Sequence, residues 1–135
     1  MRRGKEIAKT PEDALSYEIV GAAIEVHKAL GGPGLLESIY EEAMVWELQD
    51  RGIAVERQVE VPVYYKGHLL GTSLKVDLLV EKLVILENKS VTIYNPIFEA
   101  QTLTYLRLTN LKLGLVINFG EQYVKNGIHR VANKL

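Results

Sequence analysis

The run Val76-Asp77-Leu78-Leu79-Val80 sets one carboxylate in an apolar stretch, and Ile85-Leu86-Glu87-Asn88-Lys89 sets a carboxylate and an ammonium in the next. Burying an unpaired charge costs on the order of several kcal/mol, so two neighbouring strands that both do so need a reason. Glu87 and Lys89 stand two apart and therefore point to one face of a strand. Loop parity decides where Asp77 points. A two-residue turn at Glu81-Lys82 pairs Val80 with Leu83 and sends Asp77 and Glu87 to opposite faces. A three-residue loop, Glu81-Lys82-Leu83, pairs Val80 with Val84 and Asp77 with Glu87, their β-carbons roughly 5 Å apart. Like charges that close call for a cation or a proton between them. Carboxylate oxygens, with a backbone carbonyl and water, suit Mg²⁺ or Mn²⁺. We expect the three-residue loop, or a bulge of the same effect. The competing reading is a salt-bridged surface, Glu87 with Lys89 and Asp77 with Lys75 or Arg57.

Gln101 and Tyr105 lie four apart and share a helix face. An amide there can orient a phosphate or water, and a phenol can donate to an anion; the plainer reading is a helix surface with a buried ring. Glu37 and Tyr40 lie three apart near a helix start. The plain readings are a first-turn acid favoured by the helix dipole and a core tyrosine. Gly31 to Gly34 follows a helix and lacks the GK[ST] ending of a phosphate loop. His27 reads as a polar residue of the first helix, His68 as part of a hairpin turn and His129 as part of the last strand. None has ligand spacing. The absence of cysteine excludes disulfides, thiolate zinc sites and a Cys nucleophile, and fits a cytoplasmic protein.

The elements that must hold these residues are legible. Thr10-Pro11-Glu12-Asp13 is a helix start, and Ile19, Ala23, Val26 and Leu30 recur at helical spacing up to the Gly-Pro-rich turn. A second helix spans about Leu35 to Arg51. Its broad apolar face comprises Leu36, Ile39, Tyr40, Ala43, Val45, Trp46 and Leu48, and Gly52 is its left-handed stop. Alternation then predicts strands at Val55 to Val63, Leu69 to Val80 and Leu83 to Val91. Asn95 caps a helix that runs to about Leu108, and strands follow at Lys112 to Phe119 and Ile128 to Ala132. The order ααβββαββ predicts an α/β (mixed α+β) fold, a central mixed sheet flanked by helices.

The 135 residues, 47% hydrophobic and 24% charged, suit one domain at 11–135 after a flexible basic start at 1–10. No apolar run reaches the roughly 20 residues of a membrane span. Net charge is −1, but residues 11–50 hold nine acids against one lysine while both ends are basic. Near-neutrality counts against strong unaided duplex binding.

Gly34-Leu35-Leu36-Glu37-Ser38-Ile39-Tyr40 reads GxxExxY. With Asp77-Leu78-Leu79-Val80, Glu87-x-Lys89, Glu99-Ala100-Gln101, Tyr105-Leu106 and Ile117-Asn118-Phe119, it resembles the GxxExxY protein family. That family is a branch of the PD-(D/E)XK nucleases with a restriction-endonuclease-like fold. The resemblance spans residues 17 to 133. It implies metal-dependent phosphodiester hydrolysis of DNA or RNA. Asp77 and Glu87 would hold Mg²⁺ or Mn²⁺ with the Asn88 carbonyl, and Glu37 would assist as a helical acid. Lys89 would position water and stabilise charge on the scissile phosphate. Gln101 and Tyr105 match a QxxxY motif, and they join Tyr40 as substrate contacts. The rival expectation is an inactive module of the same fold that binds nucleic acid or a protein partner, a second copy included.

Overall fold

A computed structural model describes residues 10–135; of the expected flexible start, residues 1–9 lie outside the described residues. Thr10 belongs to the fold. It caps helix α1 (Pro11–Ala29), its hydroxyl accepting from the Asp13 N–H at 3.1 Å. Gly31 and Gly32, at φ of 94° and 112°, turn the chain after α1. Helix α2 (Glu37–Asp50) ends at Gly52, whose φ of 77° is the expected left-handed stop.

The face of α2 differs from expectation. Tyr40, Met44 and Leu48 are buried at a spacing of four, whereas Leu36 and Trp46 are 70% and 67% exposed and Ile39 is also exposed. A helix lying on a sheet covers only one stripe of its circumference. The remaining apolar residues of α2 therefore stay partly or fully open.

Strand β1 (Val55–Val61) is followed by a small hairpin, β2 (Tyr64–Tyr65) and β3 (His68–Leu69), turned by Lys66 and Gly67 at positive φ. The expected single strand from Leu69 to Val80 is thus two. Leu69 pairs in the hairpin, and β4 (Leu74–Val80) begins after Gly71-Thr72-Ser73, a stretch with little strand propensity. Strand β5 (Val84–Lys89), helix α3 (Ile97–Thr109) and strand β6 (Leu113–Asn118) form a parallel crossover, and β7 (Ile128–Ala132) closes the chain. The sheet order is β1-β4-β5-β6-β7, antiparallel except for β5 with β6.

Two apolar layers sandwich the sheet. Leu78, Val80, Val84, Leu86 and Ile117 pack with α1 and α2, while Val76, Ile85, Val116 and Val131 pack with Leu106 of α3. Alternation along β4 breaks at Asp77: Leu78 and Val80 lie in the first layer, Leu79 and Val76 in the second. The partner strand is distorted at the same point. The β1–β4 pairing skips Gln58 opposite Asp77, and Gln58 has φ of 53°. The sheet is irregular where the candidate carboxylate sits.

Candidate active site

The β4–β5 connection is the three-residue loop Glu81-Lys82-Leu83, closed by the Leu83 N–H on the Val80 carbonyl (2.9 Å). Glu81 and Lys82 both take left-handed φ, 52° and 55°. Val80 pairs with Val84 and Leu78 with Leu86, so Asp77 falls opposite Glu87. Here the side chains take over from the ladder. The Asp77 N–H donates to Glu87 Oε2 (3.0 Å), and the Asn88 N–H donates to Asp77 Oδ2 (2.9 Å). Each carboxylate keeps one oxygen outside this exchange.

Glu87 is buried, 5% exposed, and Asp77 is half-buried. Burial, then the charge of Asp77, pushes the Glu87 carboxyl up to about 8, against the Asp77 N–H bond and Lys89, which favour its charged form. Asp77 is also raised, chiefly by burial; the Asn88 N–H bond opposes this, and the charges of Glu41 and Glu37 add to it.

The salt-bridged alternative does not form. Among the described residues, no ion pair within 4.0 Å involves Asp77, Glu87 or Lys89. Arg57 instead binds Glu41 at 2.6 Å, and the Lys89 Nζ lies 4.6 Å from the centre of the Phe98 ring. Phe98 is met edge-on by Tyr94 at 5.5 Å, and the Tyr94 hydroxyl donates to Glu99 at 3.1 Å.

Glu41 is the acid the sequence did not single out. It lies one helical turn beyond Glu37, buried, and accepts from Arg57 and from Gln58 Nε2 (2.9 and 3.0 Å). Its charge reaches both Asp77 and Glu87. The four-residue spacing from Glu37 was the available signal, but an acid on a helix reads as solvated unless the packing is known.

The remaining candidates fall on several sides. Glu37 is exposed in the first turn of α2 and reaches Asp77 through its charge. Among the described residues no three of His, Asp and Glu gather into a ready-made metal cluster. Tyr105, half-buried on α3, has its hydroxyl pKa raised by burial and then by Glu87 and Asp77, so it shares their field. Gln101 is exposed one turn earlier.

Tyr40, expected at the substrate, is a core residue instead. It is 0% exposed and its ring stacks on Phe119 at 4.6 Å. Its hydroxyl donates to the Gly32 carbonyl (2.6 Å) and accepts from the Leu35 N–H (3.2 Å). It fastens the glycine-rich turn and has no accessible atom for a ligand. His27, the polar residue of α1, is likewise buried, its Nε2 lying 3.2 Å from the Phe119 carbonyl.

Backbone clamps hold the end of β5. Ser90 Oγ donates to the Leu35 carbonyl (2.7 Å), and the Asn118 amide bonds both N–H and C=O of Val91 (3.0 Å each). Gly120 is needed beside them, since a β-carbon there would meet the Val91 carbonyl at 2.2 Å.

The donor set suits a hard cation. Asp77 and Glu87 bring two carboxylates together, and neither is in an ion pair among the described residues. Oxygen ligands of this kind select Mg²⁺ or Mn²⁺ over softer metals.

Asp77 thus stands opposite Glu87 on an antiparallel strand pair, with Lys89 two residues on, and the second of these strands opens the parallel crossover. A family model of the PD-(D/E)XK nuclease superfamily matches residues 13–131, and the chain belongs to that superfamily. No curated protein and no solved structure matched significantly. The five-stranded sheet with flanking helices is consistent with the restriction-endonuclease-like fold. Membership points to nuclease chemistry on nucleic acid in general, a chemistry that generally uses divalent metal. No helix among the described residues is long and apolar enough to cross a membrane.

Proposed function

We propose that this chain is a Mg²⁺- or Mn²⁺-dependent nuclease of the GxxExxY branch, hydrolysing phosphodiester bonds of DNA or RNA in the cytoplasm. The observation that carries the reading is the buried exchange between Asp77 and Glu87, which brings two carboxylates together where β4 meets β5. Asp77, Glu87 and the main-chain carbonyl of Asn88 would hold the metal, with Glu37 assisting from the start of α2. When bound, the cation supplies Lewis-acid stabilisation of charge on the scissile phosphate.

The protein's own groups do the rest. Lys89, held over the Phe98 ring, brings an ammonium beside the carboxylates to orient water and offset phosphate charge. Gln101 and Tyr105 present an amide and a phenol from α3, both able to donate to phosphate oxygens.

The test is cleavage of single- and double-stranded DNA and RNA with Mg²⁺ or Mn²⁺, comparing the wild type with Asp77→Ala and Lys89→Ala. Loss of cleavage in both variants supports the reading. Cleavage that survives both, or binding without cleavage in the wild type, overturns it; the latter favours an inactive binding module.

A further inference from the structure

Two hollows flank α1, and they differ in charge. The larger, about 730 Å³, lies between α1 and α2 and is lined by Glu25, Glu42 and Glu47 around Trp46, with no lysine or arginine. The smaller, about 470 Å³, lies between the end of α1 and the segment before β7, and carries Lys28 and Lys125 with no acid. A polyanion is repelled by the first and attracted by the second.

The smaller hollow also has the shape chemistry of a nucleotide site. Its volume falls in the ordinary range of ligand pockets, roughly 300–1,000 Å³. Tyr123, 60% exposed, offers a ring at the rim, and Ile24 adds apolar surface. Such a platform stacks any base, because every base has a π-face. His27 lies at the floor. Its Nε2 faces the Phe119 carbonyl, which only accepts, so Nε2 donates there.

The hollow is tied to the candidate active site through one residue. The Phe119 carbonyl accepts from His27 (3.2 Å), and the Phe119 N–H donates to the Lys89 carbonyl (2.8 Å). The segment that carries Tyr123 and Lys125, the latter in a 3-10 turn at Val124–Gly127, leaves β6 from the same end of the sheet at which β5 delivers Glu87 and Lys89.

We propose that this hollow binds one unpaired nucleotide of a nucleic-acid strand. The base stacks on Tyr123, and Lys28 and Lys125 take the adjoining phosphates. The ligand class rests on the nuclease reading above; the site itself rests on the hollow's lining. A base held apart from its neighbours in this way favours single-stranded substrate.

The experiment is fluorescence anisotropy with labelled single-stranded DNA and RNA 12-mers in EDTA, where hydrolysis is off. The proteins are the wild type, Tyr123→Ala, the double variant Lys28→Ala/Lys125→Ala, and Trp46→Ala in the acidic groove. All four positions are exposed, and thermal melting checks the fold. Tyr123→Ala is expected to weaken binding about tenfold or more. The double lysine variant is expected to flatten the salt dependence by about 1.4 in log–log slope. The two 12-mers show which nucleic acid is preferred. No binding by the wild type, unchanged binding in both variants, or equal loss in Trp46→Ala overturns the proposal. Hydrolysis of bis(p-nitrophenyl) phosphate with Mn²⁺ is read in parallel. If it persists while 12-mer binding ignores Tyr123, the hollow alone is refuted. If it is absent while Tyr123→Ala weakens binding, the hydrolytic reading alone is refuted.

Discussion

Glu87 accepts a hydrogen bond from the main chain of Asp77 at 3.0 Å, in a place where a sheet would ordinarily pair backbone with backbone. The Asp77 carboxylate returns the exchange one residue further on, at Asn88. This arrangement secures both side chains with backbone donors, yet it does not neutralise them.

That relationship fixes a pH dependence for the metal-free protein. Glu87 rises from an ordinary 4.5 to about 8 on folding, so between those values the folded state binds more protons than the unfolded state. Stability is therefore full below about pH 4.5 and falls as pH rises toward about 8, by on the order of a few kcal/mol. Glu87→Gln removes this contribution. Urea unfolding in EDTA at pH 5 and pH 8 should show a fall in the wild type that is smaller in the variant; parallel falls would refute it.

Metal should reverse the same penalty. A divalent cation competes with the proton on Glu87, so its affinity should climb as pH rises toward 8 and binding should release protons. Calorimetry with Mn²⁺ in two buffers of different ionisation enthalpy measures the release. Asp77→Ala should abolish both the heat and the metal-induced rise in Tm.

Phe98 holds Lys89 by its ring face. Cation–π contacts are worth about 0.5–2 kcal/mol, so Phe98→Ala should lower kcat roughly 3- to 30-fold with little change in KM. Phe98→Trp should retain most of the rate. An equal loss in both variants would place the effect in folding rather than in the position of the ammonium.

Asn88 buries an amide without partners. Replacing it with an apolar strand former removes that desolvation cost, and Asn88→Val should stabilise the metal-free protein by about 1–3 kcal/mol. Denaturant unfolding reads this directly, and an unchanged or lowered midpoint would mean that the amide is satisfied in solution.

Tyr40 gives the opposite result. Tyr40→Phe leaves the Gly32 carbonyl and the Leu35 N–H without their partner, at a cost of about 1–3 kcal/mol. Oligonucleotide affinity should stay as it was once the protein is folded. A rise in KM without loss of stability would restore Tyr40 to the substrate.

The sequence by itself determined the order of the main elements and offered the opposition of Asp77 to Glu87 as one of two loop parities, between which the structure chose. These depend on local propensity, on capping at Thr10 and Gly52, and on loop parity at Glu81-Lys82-Leu83, all short-range properties of the chain. It missed the hairpin that takes Leu69 out of β4, and it read the face of α2 too broadly. Only the tertiary structure decided that Glu41 is buried beside the carboxylates, that Tyr40 and His27 serve the core, that Asn88 is unpartnered and that Phe98 carries Lys89. The alternation break at Asp77, shared with Gln58 on β1, belongs here too. The reason is that burial and partnership are set by which elements pack together, and contacts such as Glu41 with Arg57 or His27 with Phe119 join residues far apart in the chain. A residue's type restricts what chemistry it can do, while its neighbours across the fold select which of those chemistries it performs.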